Sequence, residues 1–206
     1  MNASASRNNP SRDALQPRKE VEKLGRNCYK RRVIGPDDFR RVLGHFCSGV
    51  TVITTMDQDG RPAGLTASAF TSVSLNPPLV LVCVAHDAHS YPALAAASHF
   101  AVNILAGHHE TVSSRFATKP AAHPSEKFEG VDFRQSALGL PVLKDSLAEL
   151  ECATVHAYPA GDHTILVGRV EAAESRGDAG LEPLLYYRGK YRRLHDPALK
   201  PPVSTS

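Results

Sequence analysis

The chain has 206 residues, 42% of them apolar and 22% charged, with a formal net charge of +3. That length suits one domain of ordinary to large size, and the balance suits a soluble globular fold. No run approaches the roughly 18 apolar residues of a membrane span, and the polar N-terminus lacks the apolar centre of a secretory signal, so a cytoplasmic protein is expected.

Residues 1–33 carry a basic cluster of Arg18, Lys19, Lys23, Arg26, Lys30, Arg31 and Arg32 against Glu20 and Glu22. No regular aromatic interleaving accompanies it, so a solvated, disordered leader is expected and not a nucleic-acid surface. The domain proper is expected over 34–196, opening at Gly35-Pro36-Asp37-Asp38, where proline and acids suit a first helical turn. Phe39, Val42, Leu43 and Phe46 then share one helical face, which predicts a short packing helix to about Cys47.

A strand is predicted over 49–55, a hairpin turn at Asp57–Gly60, and a second strand over the hydroxyl-rich stretch 65–74. Asn76-Pro77-Pro78 punctuates it, and the unbroken apolar run 79–85 predicts a strand buried on both faces. Ser90 is placed to cap a short helix through Ala97, and a hydroxyl-capped N-terminus suits a phosphate. A strand over 99–105 and a helix over 110–117 follow. Residues 118–146 read as a long irregular connection, of the kind that often serves as a lid. Two long strands, 147–158 and 163–173, flank a Pro159–Asp162 hairpin, and a last strand is predicted within 183–194 before a tail at 197–206.

Strands without regular βαβ alternation argue for a mainly β fold, an antiparallel barrel with peripheral helices. No GxGxxG, Walker, GxSxG or HExxH pattern occurs. Cys28, Cys47, Cys83 and Cys152 form no CxxC pair and the histidines show no ligand spacing, so no metal is assigned. The small and hydroxyl-bearing residues of 65–74 let a ligand approach backbone closely and offer it donors.

Several landmarks stand in a fixed order. They are Gly49–Thr55, Leu65–Pro78, Phe100-Ala-Val-Asn103, Arg115-Phe116, Lys127-Phe-Glu-Gly130, Leu150-Glu-Cys152, Gly161-Asp-His-Thr164 and Leu184–Gly189. On these the chain resembles, from Phe39 to about Leu194, the flavin reductase family with the FMN-binding split-barrel fold, the small reductase component of two-component monooxygenases.

The resemblance implies a homodimer with flavin near the subunit interface. It also implies hydride transfer from NADH or NADPH to FMN, or to FAD, and release of reduced flavin to a partner monooxygenase. Thr66, Ala67 and Ser68 would line the isoalloxazine edge, with Ser72 nearby and Gly49 and Thr51 beside the ring. Ser90 and Arg115 would hold the phosphate, and Phe100, Ala101 and Asn103 would form a wall. His163 would stand next to the nicotinamide or the flavin's reacting face as the catalytic residue; apart from the resemblance it reads as a solvent-exposed hairpin histidine. Tyr187 and Arg188 read either as a pocket border or as an edge-strand aromatic and a solvated charge. Ala69 stands where many members carry Ser. The alternative from a different class is a non-catalytic split-barrel carrier of flavin or haem.

Overall fold

The computed structural model describes residues 34–120, 122–176 and 180–194. The expected leader over 1–33 and the tail from 197 lie outside them. Twelve strands and three α-helices occur among the described residues. Helix α1 is Pro36–Leu43, α2 is Tyr91–Ala96 and α3 is Glu110–Ala117. The strands in order are β1 Ser48–Gly49, β2 Thr51–Met56, β3 Pro62–Ala67, β4 Phe70–Leu75, β5 Pro78–Ala85 and β6 His99–Ile104. Then come β7 Phe133–Gln135, β8 Pro141–Leu143, β9 Ala148–Ala160, β10 His163–Ser175, β11 Leu184–Tyr187 and β12 Lys190–Arg193.

Seven strands form one antiparallel sheet in the order β3-β2-β6-β9-β10-β5-β4. The β-branched run Thr51-Val-Ile-Thr-Thr places β2 inside it, with all five of those residues buried. A smaller sheet, β1-β11-β12, and a two-stranded β7-β8 ribbon complete the strand layer. The mainly β expectation holds, with the large sheet strongly bent and not closed into a continuous ladder.

The core lies inside that bend. Ile53, Val82, Val84, Leu94, Phe100, Val102, Cys152 and Leu166 pack as one cluster, and Val52, Leu105, Phe116, Phe128 and Leu184 belong to a second. Phe116 and Phe128 meet edge-on at 4.8 Å, the geometry aromatic quadrupoles favour. Gly168 sits where β10 changes register against β9. A Cβ there would lie 2.5 Å from Phe100 Cζ and 2.8 Å from Cys152 Cβ, so only glycine leaves room for the Phe100 ring.

Several expectations change. The stretch 65–74 is two strands, broken at Ser68–Ala69. The expected C-terminal strand is a hairpin, turned by Arg188 (φ 50°) and Gly189 (φ 75°), the paired positive values of a tight hairpin turn. Residues 118–146 are largely organised, by a 3-10 turn at Pro124–Phe128 and the β7-β8 ribbon. Strand β5 is buried on one face only: Val80, Val82 and Val84 point inward, while Leu79, Leu81 and Cys83 are half-exposed. Helix α1 packs nothing inward, for Phe39, Val42, Leu43 and the following Phe46 are all exposed, the last by 77%.

Candidate functional site

The site grows from the break at Ser68–Ala69. Strand β3 ends with Ala67 opposite Thr51 of β2, whose hydroxyl also donates to the Ala67 carbonyl at 2.8 Å. Strand β4 begins with Phe70 opposite Val82 of β5, and the Ala69 carbonyl accepts from the Cys83 N–H at 3.0 Å. Two residues therefore join the two edges of the seven-stranded sheet. Their small side chains leave the backbone accessible, and the Ser68 hydroxyl has no partner among the described residues.

A cleft of about 340 Å³ opens over this junction. Thr66 to Ala69 form its floor, Cys83 and Ala85 one wall, and the end of α3 with Lys127 the other. A second groove, about 680 Å³, lies beyond Ser68, Ala69 and Cys83, which line both. It runs under α1, where Phe39, Leu43 and Phe46 face Phe70 and Leu81.

His163 reaches the cleft from the hairpin tip, as the first residue of β10. The two-residue turn Gly161–Asp162, with Gly161 at φ 65°, fixes its place. Its Nδ1 lies 2.7 Å from Asp162 Oδ1, and that hydrogen bond holds the Asp162 carboxyl below its ordinary range. The Asp162 carboxylate accepts a hydrogen bond from Nδ1–H, which keeps the ring proton on Nδ1 and leaves Nε2 for a ligand. Behind it, Thr164 Oγ1 meets His86 Nε2 at 2.9 Å and the Tyr91 hydroxyl at 3.0 Å, which anchors the start of β10.

The other expected residues divide. Thr66, Ala67 and Ser68 lie in the cleft as expected, although Thr66 spends its hydroxyl proton on the Ser113 carbonyl at 2.6 Å. Ser90 is fully buried, does not cap α2, and donates inward to the Gly64 carbonyl at 2.6 Å. Arg115 points away along α3 and donates to the Glu129 carbonyl. Neither therefore faces a phosphate in the cleft.

Phe100 and Ala101 are core residues of β6. Asn103 is also buried, with Nδ2 donating to the Val52 carbonyl and Oδ1 accepting from Leu143 N–H at 2.8 Å, so it ties β2 and β8 to β6. Thr51 is buried beneath the floor, and Ser72 and Gly49 are exposed on β4 and β1, outside the cleft. Arg188 lines the second groove, while the Tyr187 ring sits edge-on to His45 at 6.4 Å. Cys83, Ala85, Asp87, His89, Lys119 and Lys127 also line the cleft without having been singled out as site residues. The unbroken apolar run of β5 gave no signal for the first two, because the alternation there is one of burial and not of residue type.

Residues 43–195 match the family described as flavin reductase like domain. The chain belongs to that family. It is 41% identical over 158 residues to the flavin-dependent monooxygenase reductase subunit HsaB of Mycobacterium tuberculosis, covering 77% of this chain and 82% of that one. It is 42% identical over 163 residues to the flavin reductase (NADH) of Kitasatospora aureofaciens, covering 78% and 83%. Among solved structures, the NADH:FAD oxidoreductase SgcE6 of Streptomyces globisporus superimposes with a TM-score of 0.72 at 39% identity, over 81% of this chain and 98% of that one. SgcE6 has also been solved in complex with NAD and FAD fragments.

Proposed function

We propose that this chain is an NADH-dependent flavin reductase that supplies reduced flavin to a partner monooxygenase. The observation that carries the reading is the cleft over Ser68–Ala69, with bare backbone on its floor and His163 at its rim. A planar ring needs such a floor, because any larger side chain at Ala67 or Ala69 would fill the space it occupies. The residues present thus fit a flavin. Ser68 and the backbone of Thr66 to Ala69 would hold the ring edge. The bound flavin supplies the acceptor for the nicotinamide hydride.

The protein's own part is to bind, orient and exclude water. Backbone N–H groups at the strand break offer donors where negative charge develops. His163 Nε2 positions the nicotinamide, while Asp162 keeps the imidazole in one tautomer. FMN is the flavin this reading favours, with FAD extending into the second groove, which adjoins the cleft at Ser68. NADH is favoured over NADPH on the names of the relatives.

The reading includes a homodimer and a cytoplasmic protein. The uncovered faces of α1 and β5 support the first, since an apolar surface of this kind is stabilised by burial against a second copy. No helix among the described residues is long and apolar enough to cross a membrane. The unpaired thiols of Cys47, Cys83 and Cys152 suit a reducing compartment.

The test is oxidation of NADH by the purified protein with FMN, with FAD and without added flavin, read by nicotinamide absorbance. Turnover that requires flavin supports the reading. Tight flavin binding without NADH oxidation would instead favour a carrier.

A further inference from the structure

Lys127 is the cleft residue that the reading above leaves without a task. Its side chain is buried, only 6% exposed, yet it lines the cleft. Nζ donates to the Phe116 carbonyl at 2.9 Å and, more weakly, to the Gly64 carbonyl at 3.4 Å. An ammonium carries three donors, so one is left over. No acidic side chain pairs with it among the described residues, and burial is the sole influence on its pKa, pushing it down. A neighbouring carboxylate would act in the opposite sense.

A buried charge with carbonyl contacts and no counter-ion is costly to maintain. An arriving anion would relieve that cost. The other ammonium at the cleft, Lys119, is two-thirds exposed and already faces Asp87 at 3.7 Å. Ser90 and Arg115, the residues expected to hold a phosphate, are turned to the Gly64 and Glu129 carbonyls. The Gly64 carbonyl accepts from both Ser90 and Lys127, and the shorter bond is the serine's.

We propose that Lys127 is the phosphate ligand of the cleft and holds the 5′-phosphate of the bound flavin nucleotide. The assignment rests on the flavin reading given above. It makes the cleft discriminate between flavin nucleotides and the phosphate-free riboflavin.

The experiment compares FMN and riboflavin affinities of the full chain and its Lys127→Gln variant by flavin fluorescence quenching. Gln keeps a donor for the carbonyls and removes the charge. FMN should bind about ten- to a hundredfold more weakly to the variant, the range of a charged hydrogen bond, with riboflavin unchanged. Lys127→Arg should recover part of the FMN affinity. An unaltered FMN affinity, or an equal loss for both flavins, overturns the assignment and makes Lys127 a support of the cleft wall. Wild-type protein that binds neither flavin overturns the flavin reading itself.

Should the Gln variant not fold, the wild-type chain labelled with 15N-lysine gives the same answer. The Lys127 ammonium resonance shifts with FMN and not with riboflavin if the assignment holds, and shifts equally or not at all if it does not.

Discussion

His163 is held by its neighbours and not by a pocket of its own. The Gly161–Asp162 turn and the Asp162 carboxylate fix both its position and its tautomer. His163→Ala should raise the KM for NADH or lower kcat while leaving flavin affinity nearly intact. Steady-state kinetics with NADH varied at saturating FMN test this, and unchanged kinetics would remove the residue from the site. His109 makes the opposite case, a histidine kept neutral by burial. Desolvation first, and then the charge of His108, lower its pKa from 6.5 to about 4. The unfolded chain binds that proton below about pH 6.5 and the folded chain only near pH 4. Its stabilisation is therefore complete above pH 6.5 and lost as pH falls towards 4, by up to about 3 kcal/mol. Urea unfolding between those pH values should show a shallower loss for His109→Gln than for wild type; parallel slopes would contradict it.

At the scale of elements, legibility followed the source of each signal. Strand β2 was plain because five β-branched residues in a row need no tertiary help. The break at Ser68–Ala69 was not, because the pattern of 65–75 runs on smoothly. Pairing imposes it, with β3 bound to β2 and β4 to β5. The split between β11 and β12 had a local mark in Gly189, outweighed by the aromatic run before it. The resemblance makes Asn103 a wall residue, yet its amide is taken up by two neighbouring strands, β2 and β8, a role no single-strand pattern reveals. The register shift in β10 depends on a missing side chain. Gly168→Ala would press a methyl into Phe100 and Cys152 and should destabilise the fold by about 1–3 kcal/mol. An unchanged urea midpoint would show that the Phe100 ring can move aside.

For the whole molecule, the amphipathic pattern of α1 was legible and its destination was not. The shared helical face of Phe39, Val42, Leu43 and Phe46 predicts a packing helix, but periodicity does not say what that face packs against. These four residues face solvent. Because Phe46 is 77% exposed, Phe46→Glu should alter the stability of the subunit by no more than about 0.5 kcal/mol. It should nevertheless shift sedimentation from dimer to monomer. An unshifted dimer would put α1 outside the interface, and a monomeric wild type would end the dimer proposal.

Most surface loops can gain or lose residues with little consequence. The joint between Ala67 and Phe70 cannot, because it spans the sheet's two edges with two residues. One residue more would either part the edges or slide β4 by one position against β5. In a strand with a two-residue repeat, such a slip sends every inward side chain outward. Variation in chain length is thus closed to this family member at the joint that floors the cleft. Changes of specificity are left to side chains, and changes of size to the hairpins around them.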